Sequence, residues 1–168
     1  PGAAGGICIT AVDQSRLRDL LALEWESQAV DLEHEIERAN VVDARQVQRN
    51  VVTMNSKALL RLDEVAVEVA LVYPEDADDS AGRLSVFSGV GTAILGCREG
   101  DRIDWRILDR TCHIRIEKVL YQPEAAGHHR VAVEMAAEKP QIRTDVEFGT
   151  HQSLAMLAAV LADVDDAV

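Results

Sequence analysis

Aromatic residues are scarce in this chain. Two Trp, two Tyr and two Phe make up 4% of its 168 residues, while hydrophobic residues as a whole reach 48%. A core has to be aliphatic, and a pocket walled by rings has few residues to draw on. Cations are also in deficit: 17 Lys and Arg stand against 29 Asp and Glu, a formal charge of -12. Phosphate tracks need clustered Lys and Arg, so the balance argues against direct, sequence-specific nucleic-acid binding. It fits a protein that meets a basic or mixed protein surface. The three cysteines, Cys8, Cys97 and Cys112, form no CxxC pair. They read as small buried hydrophobes in a reducing, cytoplasmic setting. Cys112-His113 lacks further ligands at metal spacing, so neither a metal nor a cofactor is expected. No stretch approaches the roughly 18 apolar residues of a membrane span. Pro1–Gly6 has neither the basic region nor the apolar core of a secretory signal.

What is present divides into segments. Residues 1–12 read as a flexible N-terminus. Residues 13–24 read as a helix capped by Asp13, with Leu17, Leu20, Leu21 and Glu24 at helical spacing. Residues 28–39 read as a second helix, capped by Ser27, with Ala29, Leu32, Ile36 and Ala39 on a heptad-like seam. Together they predict a short antiparallel helical hairpin over 13–40, with Glu24, Glu26 and Asp31 near its tip. Residues 41–50 are polar and read as a linker.

From Val51 the pattern turns to strands: 51–54, 58–62, 66–72 and 83–87. The stretch from Glu75 to Gly82 reads as an acidic loop. Ser88 is placed to cap a helix over 89–95, and Gly96 stands where a left-handed C-cap would be. Segments 102–108 and 112–121 alternate well and predict a β-hairpin. The expected fold class is α+β, an antiparallel sheet with one short helix against it. Residues 128–168 form a C-terminal extension. Val131–Ala136 reads as strand or helix, and Gln152–Val164 suits a helix through Leu154, Leu157 and Leu161.

Chemistry-bearing constellations are few. Gly89-Val90-Gly91 with Gly96 lacks the Gly-Lys-Ser/Thr ending of a P-loop and does not complete a dinucleotide fingerprint. His113, His128, His129 and His151 are scattered without a Ser or Asp context for catalysis, and His34 reads as an exposed residue of an acidic helix face.

The run Val86-Phe87-Ser88-Gly89-Val90-Gly91-Thr92-Ala93-Ile94-Leu95-Gly96, followed by Arg98-Glu99-Gly100-Asp101-Arg102-Ile103-Asp104-Trp105, resembles the C-terminal domain of the bacterial Gre transcript-cleavage factors. Val51-Val52-Thr53-Met54-Asn55-Ser56 and Leu120-Tyr121-Gln122-Pro123-Glu124-Ala125-Ala126-Gly127 narrow the resemblance to the Rnk-type proteins. It implies an FKBP-like domain over 51–127 and a cytoplasmic protein that binds RNA polymerase at the rim of its secondary channel. Carried onto this chain, the contact residues are Phe87, Ser88, Gly89 and Val90, with Gly89 where the family usually has proline. Gre factors carry acidic residues at the tip of a long coiled-coil arm, where they help hold a catalytic Mg²⁺. Here a 12-residue helix spans roughly 18 Å, too short to reach that metal. The expectation is a non-enzymatic regulator that competes with Gre-type factors. The alternatives are stimulation of transcript cleavage, or a different interaction module on the same fold. Prolyl isomerisation is disfavoured, because Phe87, Phe148, Tyr73, Tyr121, Trp25 and Trp105 are too sparse to line its pocket.

Overall fold

The computed structural model describes residues 6–23, 28–107 and 109–128. Ile7, Cys8 and Ile9 open the described chain as an apolar run, and all three are buried. They lead into strand β1 (Cys8–Thr10), which pairs in parallel with β2 (Asn40–Val42). Parallel neighbours need a crossover, and helices α1 (Ala11–Leu21) and α2 (Gln28–Glu37) supply it. The expected flexible 1–12 is therefore corrected for its described part, and the expected linker 41–50 begins inside β2. The physical reason is the burial of Ile7–Ile9. Helix α1 also starts earlier than expected. Its N-cap is Thr10, whose Oγ1 accepts the Asp13 N–H at 3.1 Å, so Asp13 is not the cap.

The second sheet has five strands in the order β5–β4–β3–β7–β6. These are β3 (Lys57–Leu62), β4 (Val65–Val72), β5 (Arg83–Ser85), β6 (Arg102–Ile107) and β7 (Arg110–Tyr121). Alternation places Ala58, Leu60, Leu62, Ile103, Trp105, Cys112, Ile114 and Ile116 inward. Two register shifts between β3 and β7 bend this pairing. The sheet is mixed, which corrects the antiparallel expectation. Between β4 and β5 the acidic stretch forms 3-10 turns at Pro74–Asp76 and Asp79–Ala81, and this detour returns β5 parallel to β4. Residues 51–54 are likewise not a strand. Val51 makes an isolated bridge to Arg98, and the segment is held by burial of Val51, Val52, Thr53 and Met54.

Helix α3 (Gly89–Ile94) lies inside this framework. One hydrophobic cluster runs from Ile9, Leu17, Leu32 and Ile36 through Val52 and Met54 to Leu60, Ile94 and Ile116. Gly96 is where the two sheets meet. Its φ is +74°, and a Cβ there would lie 2.7 Å from Ile7 Cβ and 2.8 Å from the Cys8 backbone nitrogen. Its carbonyl accepts the Cys8 N–H at 3.0 Å, and its N–H donates to the Val52 carbonyl at 2.8 Å. Only glycine permits that approach without strain.

Candidate functional site

The turn from β5 into α3 is built from short polar side chains bonded to backbone. The Ser85 carbonyl accepts both the Ser88 N–H (3.0 Å) and the Ser88 hydroxyl (2.7 Å). Ser88 Oγ in turn accepts the Gly91 N–H at 3.0 Å, the N-cap expected of it. Ser85 Oγ accepts the Phe87 N–H at 3.1 Å, and Thr92 Oγ1 donates to the Val86 carbonyl at 2.8 Å. Gly91 closes the turn, since a Cβ there would sit 2.0 Å from the Ser85 carbonyl oxygen. The corner thus presents Phe87, Ser88 and Gly89, each half-buried. The Val90 side chain is 0% exposed, so it offers no contact surface and anchors the corner from inside.

A second polar assembly joins α1 to the large sheet. Asp13 is 5% exposed. Its carboxylate accepts the Tyr73 hydroxyl at 3.1 Å and the Met54 N–H at 3.4 Å. Burial raises its pKa, opposed by the Tyr73, Met54 and Thr10 hydrogen bonds and by Arg16. The Arg16 guanidinium lies 3.9 Å from the Tyr73 ring centroid and bonds Glu75 at 3.1 Å, covering the cluster from outside. Nearby, Thr53 Oγ1 donates to Glu124 at 2.7 Å, and burial raises that carboxyl's pKa as well. Gln122 Nε2 donates to the carbonyls of Gln48 and Val51, each at 2.8 Å. The blocks 51–56 and 121–124 are therefore stitched together, which is a structural role for both. Sequence reasoning missed the inward turn of Asp13, because helical spacing alone does not distinguish a cap from a buried third residue.

The free end of the helices is less fully described. Glu24 and Glu26 lie outside the described residues, as do Trp25 and Ser27. Asp31 is exposed in the first turn of α2. The flanking residues are apolar: Leu23 is 75% exposed and Val30 50% exposed. An acid count concealed this, although Leu23 and Val30 both fall off the seam formed by Leu17, Leu32 and Ile36.

The remaining candidates are quiet. Cys8, Cys97 and Cys112 are buried free thiols, and burial pushes the Cys97 pKa up to about 12. His34 is exposed, and His128 Nδ1 lies 2.7 Å from the Tyr121 hydroxyl. His113 Nδ1 lies 2.7 Å from Asp104, an exposed pair whose hydrogen bond raises the imidazole pKa. His129, His151 and the expected elements 131–136 and 152–164 lie outside the described residues. No helix among the described residues is long and apolar enough to cross a membrane.

Comparison with known proteins bears on the whole arrangement. Residues 6–42 match the family model "Rnk N-terminus", and residues 47–121 match "Transcription elongation factor, GreA/GreB, C-term". The regulator of nucleoside diphosphate kinase of Escherichia coli K12 is 41% identical over 101 residues, which cover 58% of this chain and 74% of that protein. The chain belongs to the Rnk family. In this Rnk-family chain the interval between the two matched segments, 43–46, falls just after β2. The first segment thus holds the β1–α1–α2–β2 crossover and the second the five-stranded sheet with α3. Transcription elongation factor GreA of Prosthecochloris aestuarii is 33% identical over 100 residues, 57% of this chain and 62% of that protein. The solved "Prokaryotic transcription elongation factor GreA/GreB from Nitrosomonas europaea" superposes with a TM-score of 0.58 at 39% identity. It covers 69% of this chain and 98% of that one. The mixed α+β architecture of this Rnk-family chain is thus GreA/GreB-like.

Proposed function

We propose that this chain is a non-enzymatic transcription regulator that binds RNA polymerase at the rim of the secondary channel. It competes there with Gre-type factors. In this reading the large sheet with α3 is an FKBP-like platform that docks through Phe87, Ser88 and Gly89, while α1 and α2 form a helical hairpin at the channel mouth. The observation that carries it is the length of that pair. Helices of 11 and 10 residues span about 16 Å, enough to occupy an entrance and too little to carry Glu24, Glu26 or Asp31 to a metal deep within. The names of the relatives support the reading: one is a regulator and the other an elongation factor.

The test is a competition assay on backtracked elongation complexes, with and without a Gre factor. Inhibition of Gre-stimulated cleavage, with no cleavage by this protein alone, is the expected result. Shortening of transcripts by this protein alone would establish cleavage stimulation instead. Neither effect, with no retention on core polymerase at low salt, would leave the domain as a different interaction module.

A further inference from the structure

The inner face of the five-stranded sheet is apolar, and its outer face departs from the chain's overall charge. Cross-strand register places Arg102 of β6 opposite Arg115 of β7, and Arg115 opposite Arg61 of β3. Adjacent strands lie about 5 Å apart, so three guanidinium stems stand in a row about 10 Å long. Like charges directly opposite one another destabilise a sheet. This chain, short of cations overall at -12, spends three of them on one row.

The neighbouring acids neutralise one member of the row, Arg61, which Glu117 and Glu64 both face, and leave Arg102 and Arg115 without an ion pair among the described residues. Asp104 is engaged by His113 at 2.7 Å, and Asp63 by Arg110 at 2.8 Å. Glu117 bonds Arg61 at 2.8 Å. Its pKa is lowered first by that bond, with the charges of Arg61 and then Arg115 adding to it. Arg102 and Arg115 are exposed, and neither guanidinium makes a hydrogen bond or ion pair among the described residues. On the fourth strand Arg61 faces Ala66, whose methyl leaves the end of the row uncovered.

We propose that this outer face is a docking surface for an acidic protein segment whose carboxylates lie across Arg61, Arg115 and Arg102. Guanidinium forks take carboxylates bidentately, which suits a row of fixed spacing. A nucleic acid fits less well. Its phosphates continue past both ends of so short a row. The proposal stands on this face alone and does not depend on the polymerase reading.

The experiment is fluorescence anisotropy of the full chain with a labelled peptide of about ten glutamates, beside an oligothymidylate of about equal length. A protein of charge -12 repels either probe as a whole, so retention requires a local site. We expect peptide binding at about 0.05 M salt that fades by about 0.5 M. Binding should weaken at least about tenfold in Arg102→Glu/Arg115→Glu. Arg115→Gln should weaken it less while leaving the melting temperature unchanged or raised, because it relieves like-charge repulsion. No binding at about 1 mM, or equal binding by the double variant, would overturn the proposal. So would tighter capture of the oligonucleotide, or self-association in sedimentation that Arg102→Glu/Arg115→Glu abolishes, which would assign the face to nucleic acid or to a second copy. Because polymerase appears in none of these readouts, the two readings fail separately.

Discussion

At the α3 corner short hydrogen bonds and close packing hold the half-buried turn. Ser88 is fixed at both ends of its hydroxyl, Gly91 lies against the Ser85 carbonyl, and Val90 is sealed in the core. At the far end of α1 and α2 the opposite holds. Leu23 and Val30 project into solvent, and the seam that secures the helices, Leu17, Leu32 and Ile36, lies back toward the sheet. The corner spends its side chains on its own shape and has only a small surface left to offer. The helical end offers side chains that nothing in the fold requires. Changes at the corner should therefore appear first in stability, and changes at the helical end first in binding.

The strongest way to break this contrast is Gly91→Ala. A methyl 2.0 Å from a backbone oxygen has to displace α3 or β5, at a cost of about 3 kcal/mol or more. Urea denaturation measures it, and an unchanged midpoint would mean the corner is not rigidly held.

Next in size is Asp13→Ala, which strips the Tyr73 hydroxyl and the Met54 N–H of their acceptor. The expected loss is about 2–4 kcal/mol. Asp13→Asn separates charge from hydrogen bonding. Burial raises the folded-state pKa of Asp13, so its contribution is fully present below the unfolded carboxyl range. That contribution is lost as pH rises through the folded value. The stability of Asp13→Asn relative to the parent should therefore climb with pH across the mildly acidic range and then level off. A difference that falls with pH would show that the hydrogen bonds, not desolvation, dominate this carboxyl.

The smallest effect on stability is expected from Leu23→Ser with Val30→Ser, within about 0.5 kcal/mol. If the helical end touches a partner, retention on core polymerase should drop while the urea midpoint stays fixed. A shifted midpoint would mean these residues pack within the fold.

The parts of the fold legible in the sequence were those governed by period. β6 and β7 alternate, so their inward sets could be read directly, β4 was marked by its run of valines, and Ser88 followed by a small-residue helix announced α3. β1 is three residues long, and its partner β2 lies 32 positions away, Cys8 opposite Asn40, so no local pattern reveals the pairing. The parallel placement of β5 depends on how the 3-10 turns redirect the chain, which acidic composition does not encode. At the proposed contact, Phe87, Ser88, Gly89 and Val90 were all suggested by family resemblance, whereas the burial of Val90 is a packing fact that became visible only once α3 was placed against the core.

The three buried thiols have a consequence for how this protein can be observed. Cys8 lies in β1, Cys97 follows α3, and Cys112 faces inward from β7. A thiol reagent reaches each one only when its own neighbourhood opens, so modification rates measured residue by residue give local opening free energies. The native chain thus carries a set of internal clocks, one in each structural layer, and the order in which they run shows which layer yields first.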